Sequence, residues 1–134
     1  KDILIFEDIS SPFEIVFTHG DYFLSNILDD GKKLWLVDWE YAGFNSPLVD
    51  IASLSKHGQL NSEEENFILK QYYEIPITSQ LKHQFQAMKC ASILKECLWS
   101  MIAEIQPPID YDFIQYTKEK LDVYRKESEK FFNY

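Results

Sequence analysis

The apolar positions of this chain change their rhythm once, and that change lays out its elements. Phe13 to Thr18 is aromatic and β-branched, which predicts a short strand leading into a polar loop. Two apolar arms follow, Ile27-Leu28 and Lys33 to Val37, around Asp29-Asp30-Gly31, and they predict a hairpin. Residues 39–47 read as a loop ended by Pro47. From Leu48 onward the spacing becomes helical. Leu48 to His57 predicts a short helix closed near Gly58. Ser62-Glu63-Glu64-Glu65 reads as a capping box, with Ser62 as N-cap and Glu65 reaching back. The helix it opens carries Phe67, Ile68, Leu69, Tyr72 and Tyr73 and stops before Pro76. Thr78 or Ser79 caps a third helix. Its stripe runs through Leu81, Phe85, Met88, Leu94, Leu98, Met101 and Ile105, and Pro107-Pro108 ends it. Asp110 is placed to cap a last helix with Phe113, Tyr116, Tyr124 and Phe131. Upstream, Ile3-Leu4-Ile5-Phe6 reads as the end of a preceding element, broken by Ser10-Ser11-Pro12. Short strands followed by helices give an α+β order.

Composition narrows the class. The chain has 134 residues, enough for a single domain over 1–134 with its own core. It is 46% hydrophobic and 16% aromatic, which excludes disorder. No apolar run approaches the roughly eighteen residues that span a bilayer, and no signal peptide is visible at Lys1-Asp2-Ile3. Residues 1–50 hold ten acids and three bases, whereas residues 51–134 hold twelve and ten. That balance disfavours nucleic acid and suits divalent metal and cationic substrates, although ordinary solubility accounts for it by itself. Cys90 and Cys97 stand seven apart on one predicted helix, about 10 Å along it and too far for a disulfide. Two unpaired thiols point to a cytoplasmic protein.

Candidate chemistry gathers in His19-Gly20-Asp21-Tyr22-Phe23-Leu24-Ser25-Asn26 and, twelve residues after Asn26, in Asp38-Trp39-Glu40. Phosphoryl transfer from a nucleotide needs a carboxylate at the attacking hydroxyl and oxygen ligands that hold Mg²⁺ on the phosphates. Asp21 and Asn26 have the spacing of the Asp and Asn in the kinase catalytic loop. Asp38 closes the apolar run Leu34-Trp35-Leu36-Val37, where a kinase carries its second metal ligand. Asp21 is therefore the candidate catalytic base, with Asn26 and Asp38 as metal ligands. Glu40, two residues on, shares a face with Asp38 if the chain is extended there, and is then a candidate for a second metal or for substrate. His19 reads as a brace of the loop, and Asp50 as an N-cap or a second brace.

The run from His19 to Ala52 resembles the choline/ethanolamine kinase family, and its bacterial LicA-like branch in particular. His19-Gly20-Asp21 with Asn26, the block Asp38-Trp39-Glu40-Tyr41-Ala42-Gly43, Asn45, Pro47, and Asp50-Ile51-Ala52 carry that likeness. It implies the mostly helical C-terminal lobe of a protein-kinase-like fold, with a short β-hairpin beside its catalytic loop. The implied activity transfers the γ-phosphate of ATP, with Mg²⁺, to the hydroxyl of choline or ethanolamine. The resemblance favours the bracing role for Asp50. It also implies that an N-terminal nucleotide-binding lobe is absent, since the four glycines stand apart and no strand lysine of the V-A-I-K type occurs.

Trp99, Tyr116, Tyr41 and Tyr72 are the aromatic candidates for a substrate box, because an ammonium gains about 0.5–2 kcal/mol on an aromatic face. Leu98-Trp99 to Gln106 is similar to a W-x-x-W-x-x-x-Q helix of eukaryotic choline kinases, with Ile102 in place of the second Trp. Two other readings stand beside this one. The first is an aminoglycoside, thiamine or other small-alcohol kinase of the same fold. The second is a non-catalytic helical interaction domain.

Overall fold

A computed structural model of the protein describes residues 1–10 and 14–133. The breaker Ser11-Pro12 and the expected strand start at Phe13 lie outside the described residues. The apolar start forms a helix of its own, α1 (Asp2–Ile9), and Phe6 on it is buried. Strand β1 (Val16–Thr18) then leads through a 3₁₀ turn (Leu24–Asn26) into the hairpin β2 (Ile27–Asp29) and β3 (Leu34–Leu36). The expected hairpin is present, with Leu28 opposite Trp35. Its turn is tied by aspartates: Asp29 accepts from the Gly31 amide at 2.8 Å, and Asp30 from the Lys32 and Lys33 amides at 2.9 Å.

Residues 39–47 are not all loop. Gly43–Asn45 forms β4, antiparallel to β1, with Phe17 opposite Phe44. Three residues without alternation carry no strand signal of their own; β1 supplies the partner.

Four helices follow: α2 (Leu48–Gly58), α3 (Ser62–Tyr73), α4 (Ser79–Ile105) and α5 (Phe113–Phe132). Helix α2 is closed by Gln59 in the left-handed conformation. The capping box of α3 is shifted by one residue. Asn61 is the N-cap and Glu64 reaches back to its amide at 2.8 Å. Glu65 is left free to point inward, where it accepts from Ser55 at 2.6 Å and pairs with Lys89 at 2.7 Å. Thr78 caps α4. The cap of α5 is Asp112, not Asp110.

Helix α4 is the spine, packed on α1, α2 and α5. Its first half behaves as its stripe predicts. Leu81 and Phe85 join Leu48, Ile51, Ala52 and Leu69 in one core, and Ala87 and Cys90 join Phe6 and Phe131 in another. Its second half does not. The face turned inward there is Glu96, Cys97, Ser100 and Ala103, while Leu98, Met101 and Ile105 are exposed. The reason is polar. Glu96 pairs with Lys56 of α2 and Lys120 of α5, both at 2.9 Å, and Tyr116 donates to it. Thr117 donates to Ser100 at 2.9 Å. A buried carboxylate with three partners fixes the rotation of the helix more strongly than the apolar residues around it.

Candidate active site

The neck of the site is the β1–β4 pair, fastened by the Thr18 hydroxyl donating to the Gly43 carbonyl at 3.0 Å. Beyond it His19 is 1% exposed. Its backbone amide donates to Asp50 Oδ2 at 2.7 Å and the Gly20 amide donates to Asp50 Oδ1 at 2.9 Å. Both oxygens of one carboxylate thus hold two successive amides, so Asp50 in the first turn of α2 is a brace. The N-cap position belongs to Pro47. Gly20 has no alternative at its position. Its φ is +79°, and a Cβ would lie 2.4 Å from the Tyr41 carbonyl oxygen.

The His19 ring links the loop to the hairpin. Nε2–H donates to the Val37 carbonyl at 2.8 Å, and Nδ1 accepts the Asp21 amide at 3.3 Å. One neutral tautomer satisfies both contacts. Trp39 and Tyr22 meet the ring edge-on. Both ring nitrogens of His19 are thus engaged within the protein.

Asn26 and Asp38 flank the two ends of the hairpin. The Val37 amide donates to the Asn26 carbonyl at 3.0 Å, which sets Asn26 beside the residue preceding Asp38. The Asn26 side-chain amide donates to the Asp21 carbonyl at 3.1 Å, so its Oδ1 remains as a donor atom for a ligand. Asp38 sits at φ +66°, a left-handed conformation that Asp tolerates better than most residues. Among the described residues no protein group donates to its carboxylate. Asp21 lies between these groups and the helices. Burial raises the Asp21 pKa, the Lys95 and Lys56 charges oppose that rise, and Asp38 adds to it.

Chain comparisons agree with the geometry. Residues 8–82 match the model of the phosphotransferase enzyme family, more than half of the chain. The chain belongs to the phosphotransferase enzyme family. Within that family it is similar to the protein LicA of Haemophilus influenzae, 31% identical over 87% of this chain and 35% of that protein. It is also similar to a probable ethanolamine kinase of Arabidopsis thaliana, 24% identical over 84% of this chain and 35% of that protein. A solved choline/ethanolamine kinase family protein of Mesorhizobium loti superposes with a TM-score of 0.83 at 25% identity, over 96% of this chain and 44% of that one. The chain therefore spans less than half the length of these relatives, and its fold is the C-terminal lobe of their protein-kinase-like architecture.

Asn26 and Asp38 suit the metal that phosphotransferases employ. Among the described residues no three His, Cys, Asp or Glu side chains are grouped to cage an ion. Mg²⁺ needs only one or two protein oxygens when phosphates complete its octahedron, and the Asn26 amide oxygen and the unengaged Asp38 carboxylate are donors of that kind. Glu40 loses the argument made for it. With Asp38 in a left-handed conformation and a turn closed by the Ala42 amide on the Trp39 carbonyl at 3.0 Å, the chain is not extended, so the two carboxylates do not share a strand face.

The four aromatic candidates do not form one box. Trp99, 48% exposed, lies edge-on to Phe113, which touches Tyr111, which touches Tyr116. Tyr41, 57% exposed, sits instead under the Lys95 ammonium at 5.5 Å. Tyr72 is on α3 against Tyr73. The acidity of residues 1–50 is also dispersed. Asp2, Glu7 and Asp8 are on α1, where Asp2 accepts from Tyr124, and Asp29 and Asp30 tie the hairpin turn.

Two lysines at the site escaped the sequence reading. Lys56 lies at the end of α2, where a base reads as a helix-dipole complement; it is largely buried and paired with Glu96. Lys95 reads as a solvated helix position, yet its ammonium lies 3.4 Å from the Gly20 carbonyl. They are far from the loop in sequence and no local spacing announces them. No helix among the described residues is long and apolar enough to cross a membrane.

Proposed function

We propose that this chain is the catalytic-loop lobe of an ATP-dependent small-molecule kinase whose acceptor is the hydroxyl of choline or ethanolamine. One arrangement carries the reading: the His19–Asp50 brace holds the loop of Asp21, and Asn26 is bonded both to the Asp21 carbonyl and to Val37, the residue preceding Asp38. The likeness to LicA and to ethanolamine kinases supports the acceptor class.

Asp21 would receive or orient the acceptor's proton as its oxygen bonds to the γ-phosphorus and the bond to the β–γ bridging oxygen breaks. Burial, which raises the Asp21 pKa, makes the carboxylate a better acceptor, and Lys95 and Lys56 oppose that rise. Asn26 and Asp38 would hold Mg²⁺, which neutralises charge on the phosphates. His19 and Asp50 do no chemistry; they fix where Asp21 points, and positioning supplies most of the catalysis in this reaction class. A lysine for the α/β-phosphates and a loop covering them would come from a preceding lobe.

The test is a panel of alcohols offered with Mg-ATP to the full-length protein. Phosphorylation of choline or ethanolamine ahead of aminoglycosides and thiamine is the expected result. Turnover of none of the amino alcohols would overturn the acceptor, and failure to turn over any alcohol would overturn the kinase reading.

A further inference from the structure

Lys95 projects from the middle of α4 toward the loop that carries Asp21. Its ammonium is 3.4 Å from the Gly20 carbonyl and 5.5 Å from the centre of the Tyr41 ring. Among the charges acting on the Asp21 carboxylate, that of Lys95 is the strongest. Trp99 stands one helical turn further along the same face of α4. A carbonyl oxygen, an aromatic face and a nearby carboxylate are the groups that attract an organic ammonium. In this chain that place is taken by the protein's own lysine.

The neighbouring lysine behaves differently. Lys56 is paired with Glu96 at 2.9 Å and also donates to Ser92 Oγ at 3.3 Å. Its charge is spent inside the fold, in a network that three helices share. Lys95 is exposed, has no carboxylate within salt-bridge distance among the described residues, and is held only by one long contact and a ring. Its flexible four-carbon stem can swing away at small cost.

We infer that Lys95 is a displaceable substrate mimic: its ammonium occupies the subsite for the acceptor's cationic head, and the acceptor must displace it to bind. This rests on the cationic-acceptor reading above. An amino alcohol whose hydroxyl reaches Asp21 would carry its nitrogen two carbons away, within reach of the Lys95 ammonium whose charge acts on that carboxylate. Two ammonium groups cannot share that space without repulsion. Lys95 therefore sets a threshold that only a well-fitting cation passes, and it suppresses binding of cations that fail to fill the site.

The experiment uses the full-length enzyme and compares choline with its neutral carbon isostere, in which a tert-butyl group replaces trimethylammonium. The readout is the ratio of kcat/KM for choline to that for the isostere. Lys95→Gln should raise this ratio about two- to fivefold, the scale of an exposed charge pair, and Lys95→Arg should leave it near the wild-type value. High salt should shrink the difference between wild type and Lys95→Gln, because screening acts on charge alone. An unchanged or lowered ratio in Lys95→Gln overturns the mimic while leaving the kinase assignment intact. Equal changes for choline and the isostere reduce Lys95 to a structural contact and overturn it as well. A wild-type enzyme that accepts the isostere but not choline defeats the cationic acceptor itself, and the mimic with it.

Discussion

The amide of His19 lies 2.7 Å from Asp50 Oδ2, although thirty-one residues separate the two. That bond, with its twin from Gly20, ties the loop that carries Asp21 to helix α2. Asp50→Ala would leave two amides without their charged acceptor. We expect a loss of about 2–4 kcal/mol, at about 1.5–3 kcal/mol for each hydrogen bond to a charged group, less what water recovers. Asp50→Asn keeps one acceptor oxygen and should fall between. Urea unfolding of the three proteins measures this. Equal midpoints for wild type and Asp50→Ala would show that the brace contributes nothing.

Asp21 and Asp38 should separate in kinetics. Asp21→Asn removes the proton acceptor and should lower kcat by about a hundredfold or more, leaving the ATP KM nearly intact. Asp38→Ala should instead raise the Mg²⁺ concentration needed for half-maximal rate, as well as slow turnover. Magnesium titrations of both variants at saturating acceptor decide the matter. An Asp21→Asn enzyme with most of the wild-type rate would refute the assignment of the base.

The aromatic candidates should also divide. Trp99→Ala should raise the choline KM, Trp99→Phe should raise it less, and the ATP KM should barely move in either. Tyr72→Ala, on α3 against Tyr73, should leave the choline KM alone. A lowered melting temperature for Trp99→Ala with an unchanged choline KM would make Trp99 a packing residue for Phe113 only.

Acid should weaken the fold in two stages. The His57 ring is tilted over Phe23 at 3.6 Å, and among the described residues its Nε2 has no hydrogen-bond partner. Burial, and then the Lys56 charge, push its pKa from 6.5 to about 4. Between those values the unfolded chain takes up a proton that the folded chain refuses. The stability from this group is therefore complete above pH 6.5 and is lost as pH falls toward 4. Discounted for partial exposure, it is about 1–2 kcal/mol. Glu96 acts lower down. Burial pushes its pKa up, but Lys56 and the hydrogen bonds from Tyr116, Lys56 and Lys120 outweigh that and hold it at about 2. Its contribution is present above pH 4.5 and is lost below. Thermal melts across this range should show both losses, and His57→Gln should remove the first while keeping the second. A melting temperature flat between about pH 7 and 5 would contradict the buried neutral histidine.

The site was readable where its logic is local. Asp21, Asn26 and Asp38 were singled out from one short stretch, and the hairpin expected between Asn26 and Asp38 is present. The helices were readable because their apolar positions recur at helical intervals, with caps within a residue or two of Ser62 and Asp110. What the sequence hid depends on distant partners. Strand β4 is three residues given order by β1. The inward face of α4 past Ile93 is set by Glu96, which looks like a surface charge until Lys56, Lys120 and Tyr116 converge on it. Lys95 lies 75 residues from the Gly20 carbonyl it approaches, and nothing in its neighbourhood marks it.

The β1–β4 pair has a further meaning for how this segment tolerates change. Thr18 stands opposite Gly43, so residues 19–42 leave and re-enter the body of the protein through one narrow neck. Everything that orients Asp21, Asn26 and Asp38 lies near that neck or in the helices behind it. The far end, Asp29 to Lys33, is exposed, and a Cβ added at Gly31 would meet no atom within 4 Å. Changes to the exposed side chains of Lys32 and Lys33 at the hairpin tip are therefore expected to leave the three site residues in place, whereas Gly31, at φ +80°, must stay glycine for the turn.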